Sequence, residues 1–508
     1  MGYNDVMYLA IFLPVTAVIY RLIPKKYRPA ALTASSWLYF YLSSQELIIY
    51  LIAATVWVYG IALLIGKSQS PKVRKAWLTA GLTVLFGTLL YVKYTNFFIG
   101  TINHVMAGRE SFIPLQAQKI LVPLGISYYT LEAAGYLLEV YWQRVEPDRN
   151  FLRISVFLGF FPQIMEGPIA RYQDTAMQFT AGTDIVPDNI VNGCFRILYG
   201  MFKKLVIADR LYLVVNEVYS HSGSYHGAVV ALAGVCYTLQ LYMEFSGMVD
   251  VSLGSAQIFG ITLPENFRQP FFSQSASEFW RRWHISLGTW LKTYIFYPVT
   301  TSKMTMKVNR KVRKKWGKHA AKVVVSFLAL TPVWLFNGLW HGPQWNYICY
   351  GIYYLVLLML EVILEPAKNA FYKKTGWDKK SHFFQAFRVL RTWIIIFTGE
   401  LFFRANSQSQ AWSMFKSIFH GFSPAQLLPG NLPDFYIGSA DVAAIIVGTA
   451  IVLGVDIARE RGVHPIAWMR SRRQPLRWAL YYGLIFSVII FGAYGTGYMP
   501  VDMIYAQF

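Results

Sequence analysis

Apolar runs recur along this chain at the length that about 30 Å of bilayer hydrocarbon demands of a spanning helix. They lie near residues 6–22, 31–43, 47–66, 77–98, 119–141, 191–216, 227–245, 321–340, 346–364, 389–403, 440–457 and 478–497. The run at 31–43 is short for a crossing, and 150–165 and 250–263 read as re-entrant or buried pieces. The expectation is an all-α polytopic membrane protein with about eleven or twelve transmembrane helices, and with re-entrant and interfacial amphipathic helices around a central cavity. Length alone would allow three or four soluble domains. A mean hydropathy of +0.36 with only 14% charged residues argues instead for one membrane domain.

Lys and Arg outnumber Asp and Glu by 47 to 26, a balance that in a soluble chain would raise nucleic-acid binding. Here the cations cluster between apolar runs: Lys25 to Arg28, Lys72 to Lys75, Lys303 to Lys322, Lys373 to Lys380 and Arg459 to Arg477. That placement follows the positive-inside rule, implies contact with membrane lipids and gives no support to a nucleic-acid partner. It puts the loops at 21–28, 67–75 and 459–477 inside. The N-terminus, the loop at 99–118 and the tail Tyr498 to Phe508 then fall outside. Residues Met1 to Asp5 lack the basic region of a cleaved signal, so the first run reads as a retained span. Cys194, Cys236 and Cys349 are too few and too scattered for a disulfide or zinc framework, and no metal ligand set is expected.

Ionisable residues inside apolar stretches are costly and usually pair or line a cavity. This chain places Glu132, Glu139, Glu166, Arg171, Asp209, Arg210, Glu244, Asp250, Glu400 and Arg404 there, mostly as structural pairs. Two segments are richer. In the first, Pro264-Glu265-Asn266-Phe267 precedes Ser277 to Lys292, where helical spacing places Trp280, Trp283, His284, Leu287 and Leu291 on one face and lets Glu278 pair with Arg282. That pattern predicts an interfacial amphipathic helix, for which an architectural role competes with a chemical one. In the second, Phe336 to Asn346, His341 sits deep in an apolar run between Gly338 and Gly342, with Pro343 set to break the helix beside the imidazole. A histidine so placed needs a polar partner or a task.

Phe279 to Leu291, with Leu339-Trp340-His341-Gly342 and Trp345-Asn346 downstream, closely resembles the two hallmark segments of the membrane-bound O-acyltransferase family. Pro123 to Ser127, Phe160 to Gln163 with Gly167-Pro168-Ile169, Phe202-Lys203-Lys204 with Ala208-Asp209-Arg210, Phe245-Ser246-Gly247, Phe402 to Ala405 and the ending Ile504 to Phe508 are similar to the bacterial branch that serves alginate O-acetylation and teichoic acid D-alanylation. The resemblance implies a single domain over 1–508, with its hallmark core at about 119–405 and further spans at about 440–497. It implies that His341 is the catalytic histidine and His284 a second polar residue on the acyl-transfer path, with Arg281, Arg282 and Trp283 beside it. Glu166, where the alginate-type proteins usually carry a small residue, and the basic stretch 303–318 depart from the branch.

Acyl transfer from a thioester to a hydroxyl needs a base and donors for the developing oxyanion. His341 suits the base; Asn337, Asn346, Trp340 Nε1–H and His284 are available to orient or donate. No Gly-x-Ser-x-Gly elbow lies near these segments, so a covalent serine route is not indicated. The resemblance further implies no bound cofactor, an acetyl-CoA or acyl-carrier-protein donor at the cytoplasmic face, and a polysaccharide or an extracytoplasmic acetyltransferase as acceptor. Spans beyond 440 favour the alginate type, hence acetyl, over D-alanyl transfer. A transporter or flippase would use the spans and buried charges, but gives no reason for the tryptophan–histidine segments.

Overall fold

The computed structural model describes residues 1–109, 112–376, 378, 381–428 and 430–494, and every regular element among them is a helix. The expected tail at Tyr498 to Phe508 lies outside the described residues. Two compact units divide the described residues: Met1–Gly200 with Met248–Pro264, and Met201–Gly247 with the described residues from Glu265 onward.

Seven helical runs among the described residues are long and apolar enough to cross a bilayer: Lys25–Lys67, Pro71–Met106, Ala228–Ile258, Lys303–His341, Trp345–Ile363, Ser439–Glu460 and Gln474–Phe491. The remaining expected crossings fall on shorter, interrupted or more polar helices. The runs at 31–43 and 47–66 join into one stretch that bends at Gln45, where φ is 47°. The run at 191–216 is helical from Pro187 to Ser220, but a π-helical segment, Phe202–Ala208, interrupts it. The piece at 250–263 is largely buried, one of the two readings offered for it, and through Ile258 it continues the helix begun at Ala228.

The run at 119–141 becomes a helix only at Ile126, ending at Tyr141. Pro123 disfavours helical geometry in the residue before it, and Gly125 sits in the left-handed region at φ 66°, where a Cβ would run into the Ile164 carbonyl. The helix that follows is buried almost all round, and its Glu132 carboxylate accepts from the Gln163 amide and, at 3.0 Å, from the Ala170 backbone N–H. Asp250 pairs with Arg196 at 2.9 Å. Asp184 lies outside the spans, and hydrogen bonds from Lys25 and Arg28 hold its carboxyl below its ordinary pKa.

In the second unit, the π-helical segment carries Lys204, whose ammonium lies 2.7 Å from Asp209 and 3.2 Å from Glu244. Pairing of this kind offsets the desolvation of each charge. Helix Ser439–Glu460 is fastened at both ends: Asp441 takes Arg210 at 2.8 Å near its start, and Asp456 accepts the Tyr242 hydroxyl at 2.8 Å near its end. The expected basic loop at 303–318 is helical. Ser302 caps it by accepting from the Thr305 N–H at 3.1 Å, and Gly317, at φ 84° and ψ 179°, breaks it from the apolar helix that continues to His341.

Candidate active site

His341 closes the long helix that begins at Lys303, and the chain turns extended at Gly342 before Pro343. The break expected from Gly-Pro is therefore present at the imidazole. Asn337, one turn earlier, and Trp340 are buried with it. The next helix, Trp345–Ile363, packs closely because neither chain carries a side chain at the crossing: a Cβ at Gly338 would meet the Tyr347 carbonyl, and one at Gly351 the Trp334 carbonyl.

The His284 segment departs from the single amphipathic helix expected. Two short helices, Ala276–Arg282 and Ile285–Leu291, are separated by Trp283 in extended geometry and His284 in the left-handed region, at φ 46° and ψ 52°. The helical face drawn from Trp280 through Leu291 is thus broken at the histidine. Residues 266–268 cause the break by taking over the backbone hydrogen bonds: Ile285 N–H donates to Asn266 O at 3.0 Å, and Arg268 N–H to Arg282 O at 2.9 Å. The first short helix starts on Ser275, which accepts from the Glu278 N–H at 3.1 Å.

These two segments meet at one indole. The Trp340 ring centroid lies 5.5 Å from that of His284 and 5.1 Å from that of His341, edge to face in both cases. Phe245 covers His284 at 4.9 Å, and Phe403 covers His341 at 5.0 Å. Both imidazoles are buried, at 2% and 3% exposure. Burial pushes the His284 pKa down to about 3, so its ring is neutral at physiological pH.

Of the supporting residues expected from sequence, Asn337 and Trp340 adjoin His341, whereas Asn346 spends its amide N–H groups on the Ala405 and Phe403 carbonyls, at 2.8 and 3.4 Å. Asn346 is a clamp on the end of helix His382–Arg404 and leaves the set of available donors. Asn337 Oδ1 is buried with no hydrogen-bond partner among the described residues. A buried acceptor in that state costs about 1–3 kcal/mol, which a hydroxyl entering here would recover. Trp283 is packed between Phe267 and Phe279, with ring centroids at 5.1 and 5.4 Å. Arg282 pairs with Glu278 at 2.8 Å, as expected, and also with Glu460 at 2.7 Å. Arg281 is exposed.

Two residues near the site carried no role in the sequence reading. Tyr350, its ring 6.1 Å from that of His341, donates its hydroxyl to the buried Glu400 at 2.9 Å. Asn266 Oδ1 accepts from the Ser286 N–H at 3.0 Å and the Ser286 hydroxyl at 2.9 Å, and lies 3.3 Å from His284 Nδ1. Glu400 was visible as a buried carboxylate in an apolar run. Asn266 stands in the Pro264-Glu265-Asn266-Phe267 piece that opens the first rich segment, but nothing in the sequence points to His284 and Ser286 as its partners.

Residues 116–314 match the membrane-bound O-acyltransferase family, a stretch that takes in His284 and ends before His341. Similarity to individual proteins reaches further. The chain is 32% identical over 422 residues to a probable alginate O-acetylase of Pseudomonas syringae pv. tomato, covering 82% of this chain and 75% of the relative. It is 26% identical to a peptidoglycan O-acetyltransferase of Helicobacter pylori, covering 82% and 79%. It is also 30% identical to a teichoic acid D-alanyltransferase of Bacillus subtilis, over 51% of this chain and 60% of that protein. Identity sustained over most of an O-acetylase's length, in a chain that buries two histidines against one tryptophan, places this protein in the membrane-bound O-acyltransferase family as a multi-pass membrane acyltransferase.

Proposed function

We propose that this acyltransferase moves an acetyl group from a cytoplasmic thioester, acetyl-CoA or an acyl-carrier protein, to a hydroxyl that leads to O-acetylation of a cell-envelope or secreted polysaccharide. The protein would sit in the cytoplasmic membrane and pass the acetyl group either to the polysaccharide or to an extracytoplasmic acetyltransferase. The observation that carries the reading is the pair of buried imidazoles flanking Trp340. The alginate and peptidoglycan O-acetylating relatives support acetyl as the group, and match more of the chain than the D-alanyl relative does.

In this mechanism His341 takes the proton of the acceptor hydroxyl as its oxygen attacks the thioester carbonyl. The new C–O bond forms, the C–S bond breaks, and the imidazolium returns the proton to the departing thiolate. Phe403, Tyr350 and Trp340 exclude water from the imidazole, which limits hydrolysis of the thioester.

The test is transfer by the purified full chain in lipid, supplied in turn with acetyl-CoA, acetyl-carrier protein and D-alanyl-carrier protein. His341→Ala should lower acetyl transfer at least about a hundredfold at unchanged abundance and thermal profile. Near-full transfer by that variant would remove His341 from the chemistry. Preference for the D-alanyl carrier would move the protein to the teichoic acid reaction, and transport without transfer would favour a flippase.

A further inference from the structure

The hydrogen bonds around Asn266 define which face of its side-chain amide points at His284. The Ser286 backbone N–H is a donor only, so the Asn266 atom 3.0 Å away is the carbonyl oxygen. Rotating the amide would set Nδ2 against that N–H, donor against donor. The same oxygen lies 3.3 Å from His284 Nδ1. A bare Nδ1 lone pair would repel it, whereas an Nδ1–H donates to it.

The backbone holds this contact in place. His284 is locked in left-handed geometry between two helices, and the Ile285 N–H donates to the main-chain carbonyl of Asn266 itself, so both partners are fixed by one short stretch of paired chain. Non-glycine residues in that region cost energy and persist where the surroundings over-determine them. Phe245 and Trp340 enclose the ring on other sides.

Resting on the acyl-transfer reading of this site, we propose that Asn266 is a positioning residue that holds His284 in the Nδ1–H tautomer. His284 then enters the site as a hydrogen-bond acceptor through the Nε2 lone pair. It orients a hydroxyl and does not donate to an oxyanion, a role left to N–H groups elsewhere.

Selective 15N labelling of the histidine imidazoles in the lipid-reconstituted full chain tests this, with the His284 signals identified by their loss in His284→Gln. The wild-type protein should show a pyrrole-type nitrogen at Nδ1 and a pyridine-type nitrogen at Nε2 of His284; the reverse pattern overturns the proposal without recourse to any other variant. Asn266→Ala should shift His284 toward the Nε2–H form and lower kcat about 10–100-fold, by analogy with the loss of partners that orient metal-bound histidines, with KM for the thioester unchanged. Asn266→Asp, which keeps the acceptor oxygen, should retain the tautomer and recover part of kcat. An Asn266→Ala protein with wild-type tautomer and rate sinks the assignment. Should His341→Ala retain transfer while the His284 tautomer is as stated, the His341 base is lost and the Asn266 assignment stands.

Discussion

Arg282 meets both carboxylate oxygens of Glu460, at 2.7 and 3.0 Å, while Asp456, one turn earlier on the same helix, takes the Tyr242 hydroxyl. Tyr242 in turn packs against Trp283, at a centroid distance of 6.1 Å. The helix at 439–460 is thereby tied, directly through Arg282 and indirectly through Tyr242, to the two residues just before His284. Bidentate guanidinium–carboxylate geometry is among the stronger side-chain pairings, but partial exposure of Glu460 discounts it. Arg282→Gln should cost about 1–3 kcal/mol, seen as a lower apparent Tm, and Arg281→Gln should leave Tm and transfer near wild type. A large loss of transfer from Arg281→Gln at unchanged Tm would restore Arg281 to the substrate path. The histidines were legible because an ionisable ring between glycines and indoles in an apolar run has no cheap explanation. Asn266 and the Tyr350–Glu400 pair were not, because their partners lie 20 and 50 residues away and follow no spacing rule.

At the scale of elements, the helix ending in His341 and the helix beginning at Trp345 touch through glycines. A Cβ on Gly351 would press on the Trp334 carbonyl and lie 3.5 Å from the Gly338 Cα. Membrane helices have little hydrophobic drive to associate, so close backbone approach supplies much of what holds such a pair. Gly351→Ala should cost about 1–3 kcal/mol through overpacking and lower kcat by displacing His341, whereas Gly87→Ala, with nothing within 4 Å, should be neutral or slightly stabilising. Equal thermal profiles for the two variants would show that the crossing has slack. Sequence periodicity found most helices but missed the break at His284, since residues 266–268 override a pattern that is locally helical throughout. The late start at Ile126 was readable from Pro123 and Gly125, and a hydropathy window smooths over both.

For the molecule as a whole, the helix before Gly317 is the feature that stability does least to explain. Thr305 and Val312 are buried, while Lys303, Lys307, Arg310, Lys311, Arg313, Lys314, Lys315 and Lys318 are all exposed, and no acidic residue occurs between 303 and 322. Lys303, Lys307, Lys311 and Lys315 follow one another at four-residue spacing, where like charges each cost about 0.2–0.5 kcal/mol. Orientation in the membrane needs fewer cations than this. An anionic partner would recover the repulsion, and the proposed donors fit: CoA through its phosphates, a carrier protein through acidic helices. The attraction would act mainly on encounter and be screened within about 8 Å at physiological salt. Replacing Arg310, Lys311, Arg313 and Lys314 together with Gln should raise KM for the donor, leave kcat nearly unchanged and flatten the salt dependence of kcat/KM. If KM and salt dependence match the parent while the variant instead loses binding to vesicles of anionic lipid, the cations serve the headgroup layer and the donor docks elsewhere.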